Sequence, residues 1–421
     1  MRIIEPKHFE ALPRIKHKRH YRRYIVLLLI MGIIIGLGWV GYHRYNQPLP
    51  AYTITPGKEL STGPEVKFAW PTYGQSAVGI VGKGVIDSNN SDEPQPTASV
   101  AKIITALVVQ DKEPLALNQD GDDIPITKAD QQIYDKYYLV NGSIVPVLPG
   151  TTLTQKQLMQ AMLIPSANNM AETLTNYTFG SQEEYVSYAN NYLKENGFVK
   201  TTVADSSGFS PDTVSTAAEL VRIGELAMND PVIAQIVGQS QAVIPNGGTV
   251  TSTNWLLNKD GVNGIKTGNT NQAGGCYLVS AVVTHPDNTK STVIAVIMGA
   301  KTVDQAITDI QPLVFVQAKS GFNDVAVLSE GQQLGVIATA WGEKAAITSA
   351  SDLSLFGWQE DRPQYTLDVT DVTQVERTVD GQVIGSAKVT LGQSSDTVAV
   401  KQTGTINPPD FWWKFKRIFN S

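Results

Sequence analysis

Ser99 and Lys102 stand three positions apart near the start of an apolar segment, residues 96–109. On a helix this spacing places both side chains on one face, about 5–6 Å apart at Cβ. A deprotonated lysine beside a serine hydroxyl can serve as the general base for a nucleophile. The alternative is a lysine that reaches solvent and a serine that begins the helix, and this segment alone favours neither.

A lysine base needs a pKa near neutrality. From the ordinary value of ~10.4 this is a fall of about 3 units, or about 4 kcal/mol. Burial supplies part of that shift, and a second cation nearby supplies more. The sequence offers Lys266, just before a pair of predicted strands. Thr267 and Gly268 follow it, and they offer a hydroxyl and a bare backbone that lets a substrate approach closely.

A third group lies in the loop where Pro165 separates two predicted helices. Ser166 and Asn168 supply a hydroxyl and an amide there, which can relay a proton and hold a substrate amide. A serine nucleophile can also use histidine as its base, and His285 is the one histidine after residue 43. It falls in a polar turn between two predicted strands, where a solvated loop residue is the ordinary interpretation, so the sequence favours the lysine.

Charge is unevenly distributed along the chain. Residues 1–23 contain eight basic and two acidic residues, whereas the remainder contains 25 basic and 37 acidic ones. An acidic globular part argues against nucleic acid as a partner. The single cysteine, Cys276, excludes an intramolecular disulfide and a cysteine-rich zinc site.

The N-terminal region predicts a membrane anchor. Residues 24–42 form a run of 19 residues without a charge. As a helix this run spans about 28 Å, close to the ~30 Å hydrocarbon core of a bilayer. The basic residues 1–23 predict a cytoplasmic N-terminus, with the rest of the chain outside the cell membrane. A cleaved signal peptide is the competing interpretation, but no small-x-small cleavage site follows, so a single-pass anchor is favoured.

The next two regions differ in composition. Residues 43–64 are polar and contain prolines, which is typical of a tether. Residues 65–322 mix helix and strand signals and predict an α+β domain, within which residues 116–152 are expected to be irregular. Helices are predicted over residues 153–163, 168–177, 182–196, 216–228 and 303–320, the last kinked or split by Pro312, and two adjacent antiparallel strands over 274–284 and 291–300.

The C-terminal part predicts a second, smaller domain. Residues 323–407 alternate apolar and polar positions with glycine-containing turns, which favours a small all-β module of sandwich type. Residues 408–421 interleave bulky aromatics with cations, a composition typical of a helix in a membrane interface. The alternative is an aromatic tail packed on the β module. The membrane is favoured because the other end of the chain is predicted to be anchored there.

The three motifs together resemble those of a known family. Residues 96–102 (PTASVAK), residues 166–168 (SAN) and residues 260–268 (DGVNGIKTG) match the low-molecular-weight penicillin-binding proteins, which are serine-type D-alanyl-D-alanine carboxypeptidases of bacterial cell walls. The resemblance runs from about Ser76 to the C-terminus, and it includes residues 205–208 (DSSG). It implies a β-lactamase/transpeptidase-like domain, an antiparallel sheet with flanking helices, followed by a β-rich module and an amphipathic tail.

The resemblance also implies roles for the site residues. Ser99 would attack the carbonyl between two D-alanines of a peptidoglycan stem pentapeptide while Lys102 takes its proton, giving an acyl-enzyme. Water would then release the shortened peptide, and no metal or cofactor is implied. β-Lactam antibiotics would acylate the same serine. The remaining roles are proton relay and peptide binding for Ser166 and Asn168, carboxylate binding for Lys266 and Thr267, and an oxyanion hole from the backbone N–H groups of Ser99 and Asn269.

Two departures and two alternatives accompany this resemblance. Asn269 stands where relatives have histidine, although only its backbone is expected to act. An arginine that often helps to bind the carboxylate is not evident, and Lys290 could replace it as a point charge.

A β-lactamase shares the scaffold but needs a carboxylate that activates the deacylating water. A catalytically idle envelope protein that binds peptidoglycan is the other alternative, and the intact motifs argue against it.

Overall fold

The computed structural model describes residues 18–285, 288–369 and 377–419. The N-terminal residues 1–17, which carry most of the predicted basic segment, lie outside the described residues. The chain divides into two units. The larger unit comprises Thr62–Val325 and Phe356–Asp361, and the smaller unit comprises Met1–Ser61, Ala326–Leu355 and Arg362–Ser421.

The described residues form the following elements. The helices are α1 (Lys18–Tyr45), α2 (Lys102–Lys112), α3 (Lys128–Leu139), α4 (Gln155–Leu163), α5 (Asn168–Phe179), α6 (Gln182–Glu195), α7 (Ala217–Asn229), α8 (Pro231–Val237), α9 (Val303–Gln311) and α10 (Phe411–Lys416). The strands are β1 (Thr53–Pro56), β2 (Gln75–Ile80), β3 (Gly84–Asn89), β4 (Gln95–Pro96), β5 (Asp123–Pro125), β6 (Thr152–Thr154), β7 (Val214–Ser215), β8 (Gln241–Ile244), β9 (Gly248–Thr251), β10 (Val262–Thr270), β11 (Gly274–Thr284), β12 (Lys290–Ala300), β13 (Phe322–Leu328), β14 (Gln333–Ala338), β15 (Lys344–Ser349), β16 (Leu353–Trp358), β17 (Gln364–Val369), β18 (Val383–Leu391) and β19 (Ser394–Thr403).

The larger unit is built on an antiparallel sheet with strand order β10-β11-β12-β2-β3. Its central strands are buried on both faces, because successive side chains point to opposite sides and each side packs in an apolar core. On β11, Cys276 and Leu278 face the core that contains α2, α4, α5 and α7, whereas Tyr277 and Val279 face the core that contains α9. The antiparallel strand pair predicted from the sequence is confirmed.

Helix α2 is the buried helix that the sequence predicts. Eight consecutive residues, from Lys102 to Val109, are buried in it. A helix can lose water on all faces only if nearly every face is apolar, which holds here except at Lys102 and Thr105. Thr105 donates its hydroxyl to the carbonyl of Ser206 at 2.7 Å, so its polar group is paired.

The closing helix is split at Pro312, as expected. α9 ends at Gln311, and a π-helical segment, Pro312–Ala318, continues from it. Proline has no N–H with which to extend the α-helical ladder, and its ring crowds the preceding turn. The four other predicted helices appear as α4, α5, α6 and α7, with ends that differ by at most two residues.

The prediction for residues 116–152 is wrong in part, because helix α3 lies within them. The Asp and Gly residues of the segment favour loops, but Thr127 and Asp130 form a capping box at the start of α3. Thr127 accepts from the backbone of Ala129, and Asp130 accepts from the backbone N–H of Thr127 at 2.8 Å. This Thr-x-x-Asp signal outweighs a local composition that otherwise favours loops.

The smaller unit contains the expected β-rich region, with the strand order β1-β14-β15-β19-β18-β17 in one antiparallel sheet. Strand β1 comes from residues 43–64, which were expected to be a tether. Thr53, Ile54 and Thr55 pair with β14, and such β-branched residues favour strands. Tyr52, just before β1, is buried with its ring 5.8 Å from that of Trp341.

The end of α1 and the residues just after it contact the C-terminal segment within the smaller unit. Arg44, at the end of α1, donates to the carbonyl of Ile418 at 3.1 Å. Arg417 donates to the carbonyls of Gln47 and Pro48 at 3.0 and 2.9 Å. The C-terminal segment is therefore held to the chain that leaves α1.

Replacement of Ile104 by alanine tests the packing of α2. Ile104 is 1% exposed, so its loss creates a cavity, and we expect the free energy of unfolding to fall by about 2–5 kcal/mol. Urea unfolding monitored by fluorescence measures this change. The control is Val199→Ala, because Val199 is 79% exposed in the same unit and its truncation should cost less than about 0.5 kcal/mol. Equal losses in both variants would contradict the buried position of α2.

Candidate active site

Ser99 lies in a 3₁₀ turn, Ala98–Ala101, that runs directly into α2. The preceding Ala98 has φ +46°, a left-handed conformation that a residue with a Cβ adopts only at a cost. The start of the turn is held in place by Thr97, whose backbone N–H donates to Thr213 O at 3.1 Å. The serine is thus presented from a strained but anchored turn, and it is only partly buried.

The side chain of Lys102 folds back to Ser99, as the three-residue spacing predicts. Its Nζ lies 2.8 Å from Ser99 Oγ, 2.7 Å from Asn168 Oδ1 and 2.8 Å from the carbonyl oxygen of Ser207. These three acceptors come from the 3₁₀ turn, from α5 and from the turn after residue 205. The lysine is fully buried, so its ammonium form has exchanged water for three protein partners.

Burial holds the pKa of Lys102 well below its ordinary value. The nearby positive charge of Lys266 lowers this pKa further, whereas Asp205 opposes the shift. Burial also lowers the pKa of Lys266, to about 7. Two lysines deprived of water in one site therefore make a neutral Lys102 accessible at physiological pH, and this is the state a general base requires.

Asn168 is the first residue of α5, and Ser166 lies two positions before it. Ser166 has φ +68° and is buried, in the loop that Pro165 creates after α4. The backbone N–H of Asn168 donates to Ser143 O at 2.7 Å, which fixes the amide that contacts Lys102. Within the described part of the chain, the hydrogen bonds of Lys102 include Asn168 but not Ser166. A proton relay through Ser166 therefore stays a prediction.

Strand β10 brings the third motif to the nucleophile. Lys266 and Thr267 are buried on it, and Lys266 Nζ donates to Thr267 O at 2.8 Å. Gly268 packs against the turn of Ser99 so closely that a Cβ there would lie 2.8 Å from Ser99 N. Only glycine permits this approach of strand to turn. Asn269, the next residue, is exposed.

The turn at residues 205–209 was noted in the sequence only as part of the resemblance, and the structure gives it contacts in the site. Asp205 accepts hydrogen bonds from five groups: the backbone N–H of Ser207, Gly208 and Phe209, and the hydroxyls of Ser207 and Thr213. These bonds shape the turn whose Ser207 carbonyl contacts Lys102. Gly208 has φ +70°, and a Cβ there would lie 1.9 Å from Ala98 O. Aspartate followed by small residues and glycine is a turn signal that could have indicated this support.

His285 contacts Ser291, Phe322 and Phe356, which lie outside the three motifs. It follows β11, and its Nε2 is 2.9 Å from Ser291 Oγ. Its ring packs on Phe322 and Phe356 at centroid distances of 4.5 and 4.9 Å. The choice of lysine over histidine as the base agrees with this placement.

The suggestion that Lys290 replaces a carboxylate-binding arginine is wrong. Thr267 pairs with Tyr277 on β11, and Tyr277 pairs with Ile297 on β12. Lys290 instead pairs with Thr284, at the other end of β11. Thr284 lies seven positions after Tyr277, which is a distance of about 23 Å along a strand at 3.3 Å per residue. The position of Lys290 in the sequence did not reveal the direction in which β12 runs.

A family model described as D-alanyl-D-alanine carboxypeptidase matches residues 79–302, a range that contains all three motifs. The chain belongs to this family. The family and the serine peptidase class predicted from the motifs are confirmed. Because a serine peptidase is a hydrolase, the broad reaction type follows from family membership.

Two curated relatives define the extent of the similarity. D-alanyl-D-alanine carboxypeptidase DacC of Escherichia coli K12 is 29% identical over 224 residues, which are 52% of this chain and 54% of that relative. D-alanyl-D-alanine carboxypeptidase DacF of Bacillus subtilis 168 is 23% identical over 333 residues, 76% of this chain and 79% of that relative. The match to DacC thus spans about half of that relative's length.

Solved structures show the same fold. The D-alanyl-D-alanine carboxypeptidase DacD from Francisella tularensis has a TM-score of 0.57 at 17% identity, covering 82% of this chain and 96% of its own. Penicillin binding protein 5 from Haemophilus influenzae has a TM-score of 0.56 at 20% identity, covering 82% and 100%. The predicted fold class, a transpeptidase-like α+β domain followed by an all-β region, is confirmed.

Replacement of Lys266 by methionine should stabilise the protein in a pH-dependent way. The folded-state pKa of about 7 lies below the ordinary ~10.4, so between these values the unfolded chain binds more protons and wild-type stability rises with pH. Lys266→Met removes this burial cost. We expect it to be about 2–4 kcal/mol more stable than wild type near pH 6, with the gap closing toward pH 10.

Urea unfolding across this pH range measures the effect. The control is Lys301→Met, because Lys301 is an exposed lysine in the same unit and its replacement should leave the pH dependence unchanged. A gap between Lys266→Met and wild type that is the same at pH 6 and pH 10 would show that Lys266 pays no desolvation cost.

Proposed function

We propose that the chain is a serine D-alanyl-D-alanine carboxypeptidase that removes the terminal D-alanine from peptidoglycan stem pentapeptides. The observation that carries this proposal is the contact of Lys102 Nζ with Ser99 Oγ at 2.8 Å. The lysine is fully buried and its pKa is lowered, so it can be the base for that serine. Membership of the carboxypeptidase family supports the choice of substrate.

Acylation follows from this pair. Neutral Lys102 accepts the proton of Ser99 as its oxygen attacks the carbonyl between the two D-alanines. The backbone N–H groups of Ser99 and Asn269 stabilise the negative charge on the carbonyl oxygen. The amine of the leaving D-alanine then takes a proton, with Ser166 as the relay from Lys102. Water attacks the acyl-enzyme in the second half of the reaction and releases the shortened peptide.

Substrate binding is assigned to the other motif residues. Asn168 holds the peptide amide while its Oδ1 accepts from Lys102. Lys266 and Thr267 bind the terminal carboxylate, and the absence of a side chain at Gly268 lets β10 lie directly against the turn of Ser99. A β-lactam places its own carbonyl and carboxylate at the same positions, so we expect it to acylate Ser99. No metal or cofactor enters this mechanism.

The β-lactamase alternative needs a carboxylate that activates the deacylating water. Two buried or partly buried carboxylates lie near the site motifs, and both have other partners. Glu172, one turn along α5 from Asn168, accepts from Tyr137 Oη at 2.7 Å and from Lys136 Nζ at 2.6 Å. Asp205 is occupied by its own turn. These contacts favour the carboxypeptidase.

We further propose that the protein is a single-pass membrane protein with its enzymatic part outside the cytoplasm. By length and composition α1 contains a candidate span, Tyr21–Tyr45, which fits either an anchor or a signal sequence. The absence of a small-x-small cleavage site after the apolar run supports an anchor. The three arginines among residues 19–23 favour a cytoplasmic N-terminus.

The C-terminal segment supports attachment to the same membrane. Trp413 packs on the smaller unit, with its ring 5.7 Å from that of Trp341. Phe411, Trp412 and Phe419 are instead 58–71% exposed. One side of the segment thus packs on protein, which is the alternative raised by the sequence, and the exposed aromatics are available to a lipid interface.

The proposed chemistry predicts that Ser99→Ala abolishes both D-alanine release from a pentapeptide and the penicillin adduct. Lys102→Arg should lower acylation by about 10²–10⁴-fold, because arginine stays protonated and cannot act as the base. Release of D-alanine and mass spectrometry of the intact protein measure the two effects. Ser187→Ala, on α6, is the control and should leave both unchanged.

The same measurements separate the alternatives. Penicillin attached to a residue other than Ser99, or D-alanine release that survives Ser99→Ala, would overturn the assignment of the nucleophile. Labelling at Ser99 without D-alanine release, combined with rapid turnover of the label, would identify a β-lactamase. Failure of the wild-type protein to label would identify an idle binding protein.

The membrane proposal predicts that residue 412 lies in the lipid interface. The sole native cysteine, Cys276, is buried and burial raises its pKa to about 11, so introduced cysteines can be labelled selectively. In the full chain in nanodiscs, a spin label at Trp412→Cys should be more accessible to oxygen than to a water-soluble nickel complex.

Val383→Cys is the control for this experiment, since Val383 is 56% exposed on β18 and should favour the nickel complex. Greater access to nickel at both positions would contradict membrane contact by α10. A mature chain that begins after residue 42, identified by mass spectrometry, would contradict the anchor.

A further inference from the structure

Thr253 is a polar residue at the site that none of the three motifs contains. Its hydroxyl lies 2.5 Å from the hydroxyl of Thr267, and either oxygen can be the donor. Thr267 is 4% exposed, whereas Thr253 is exposed. The two hydroxyls therefore form a pair whose outer member faces solvent.

The position of Thr253 is fixed from both sides. Its backbone N–H donates to the carbonyl of Ile164 at 3.3 Å, directly before the loop of Ser166. The next residue, Asn254, is buried; it donates to Gly264 O at 3.3 Å and accepts from Tyr277 Oη at 2.8 Å. The segment thus links the loop after α4 to strands β10 and β11, and it holds the Thr253 hydroxyl beside β10.

Arginine, which binds a carboxylate through two parallel N–H groups, is scarce in the larger unit. Arg222 is the one arginine between residues 62 and 325 of the sequence. It donates to the carbonyls of Gly197 and Asn196 and stacks on Phe198 at 4.6 Å. Lys290 lies at the other end of the sheet, as its register shows. Lys266 remains as the positive charge next to Thr267, and hydroxyls must supply the directional hydrogen bonds.

We propose that Thr253 and Thr267 form a hydroxyl clamp that binds the terminal carboxylate of the substrate, with Thr253 as a specificity-determining residue. The inference rests on the proposed function and extends it to a residue outside the motifs. Each hydroxyl has one proton, so without ligand one of the pair donates to the other. A carboxylate only accepts, and its two oxygens can take both protons. A ligand without the negative charge gains less from the same pair.

The test compares benzylpenicillin, which carries the carboxylate, with its methyl ester, which does not. The acylation rate constant of Ser99 is measured for the full chain in detergent by mass spectrometry. Thr253→Val keeps the shape of the side chain and removes the hydroxyl. A hydrogen bond to a charged group contributes enough that benzylpenicillin should acylate this variant about 10- to 100-fold more slowly. The ester should change by less than about threefold.

Two further variants complete the design. Thr253→Ser restores the hydroxyl and should return the benzylpenicillin rate to within about threefold of wild type. Thr249→Val, at an exposed position on β9, is the matched control and should leave both rates unchanged.

Each outcome decides the proposal. An equal loss for both ligands in Thr253→Val would show a structural role and overturn the clamp, as would an unchanged benzylpenicillin rate. A Thr253→Ser rate as low as that of Thr253→Val would also overturn it. Failure of the proposed function is distinct from these results, because the wild-type protein would then release no D-alanine from a pentapeptide, whatever its acylation rates.

Discussion

The exclusion of water from Lys102 is the constraint on which the rest of the structure depends. An ammonium group in water holds its proton too tightly to activate a serine at neutral pH. Here the group is fully buried, next to a second lysine, and its pKa is lowered by both. Its three protein acceptors at 2.7–2.8 Å keep the side chain pointed at Ser99 without supplying a bound carboxylate that would restore the charge.

The fold meets this requirement by bringing two backbone segments unusually close to the 3₁₀ turn of the nucleophile. Gly268 on β10 approaches from one side, and Gly208 in the turn after Asp205 approaches from another. A side chain at either glycine would meet backbone atoms of residues 98–100. The turn itself holds Ala98 at a positive φ, a strain that the surrounding packing sustains. Close packing thus removes water from the lysine and leaves the serine reachable.

Much of the fold could be predicted because its signals are local. The apolar run of α2, the proline that splits the predicted closing helix and the continuous apolar runs of β11 and β12 each act over a few residues, and the structure retains them. Helix α3 was missed because the Asp and Gly residues of the segment were interpreted as loop signals, although the Thr127–Asp130 capping box starts a helix there. Strand β1 was missed because it needs a partner, β14, whose paired residues lie 279 to 285 positions away in the sequence.

The sequence by itself determined which groups could do the chemistry, since Ser99 and Lys102 are one helical turn apart and no other segment is needed to bring them together. Tertiary structure alone decided what surrounds them. The carbonyl of Ser207, the placement of Lys290 far from Thr267 and the hydroxyl pair of Thr253 and Thr267 all depend on strand register and loop contact. Such contacts join residues distant in sequence, and no local pattern encodes them.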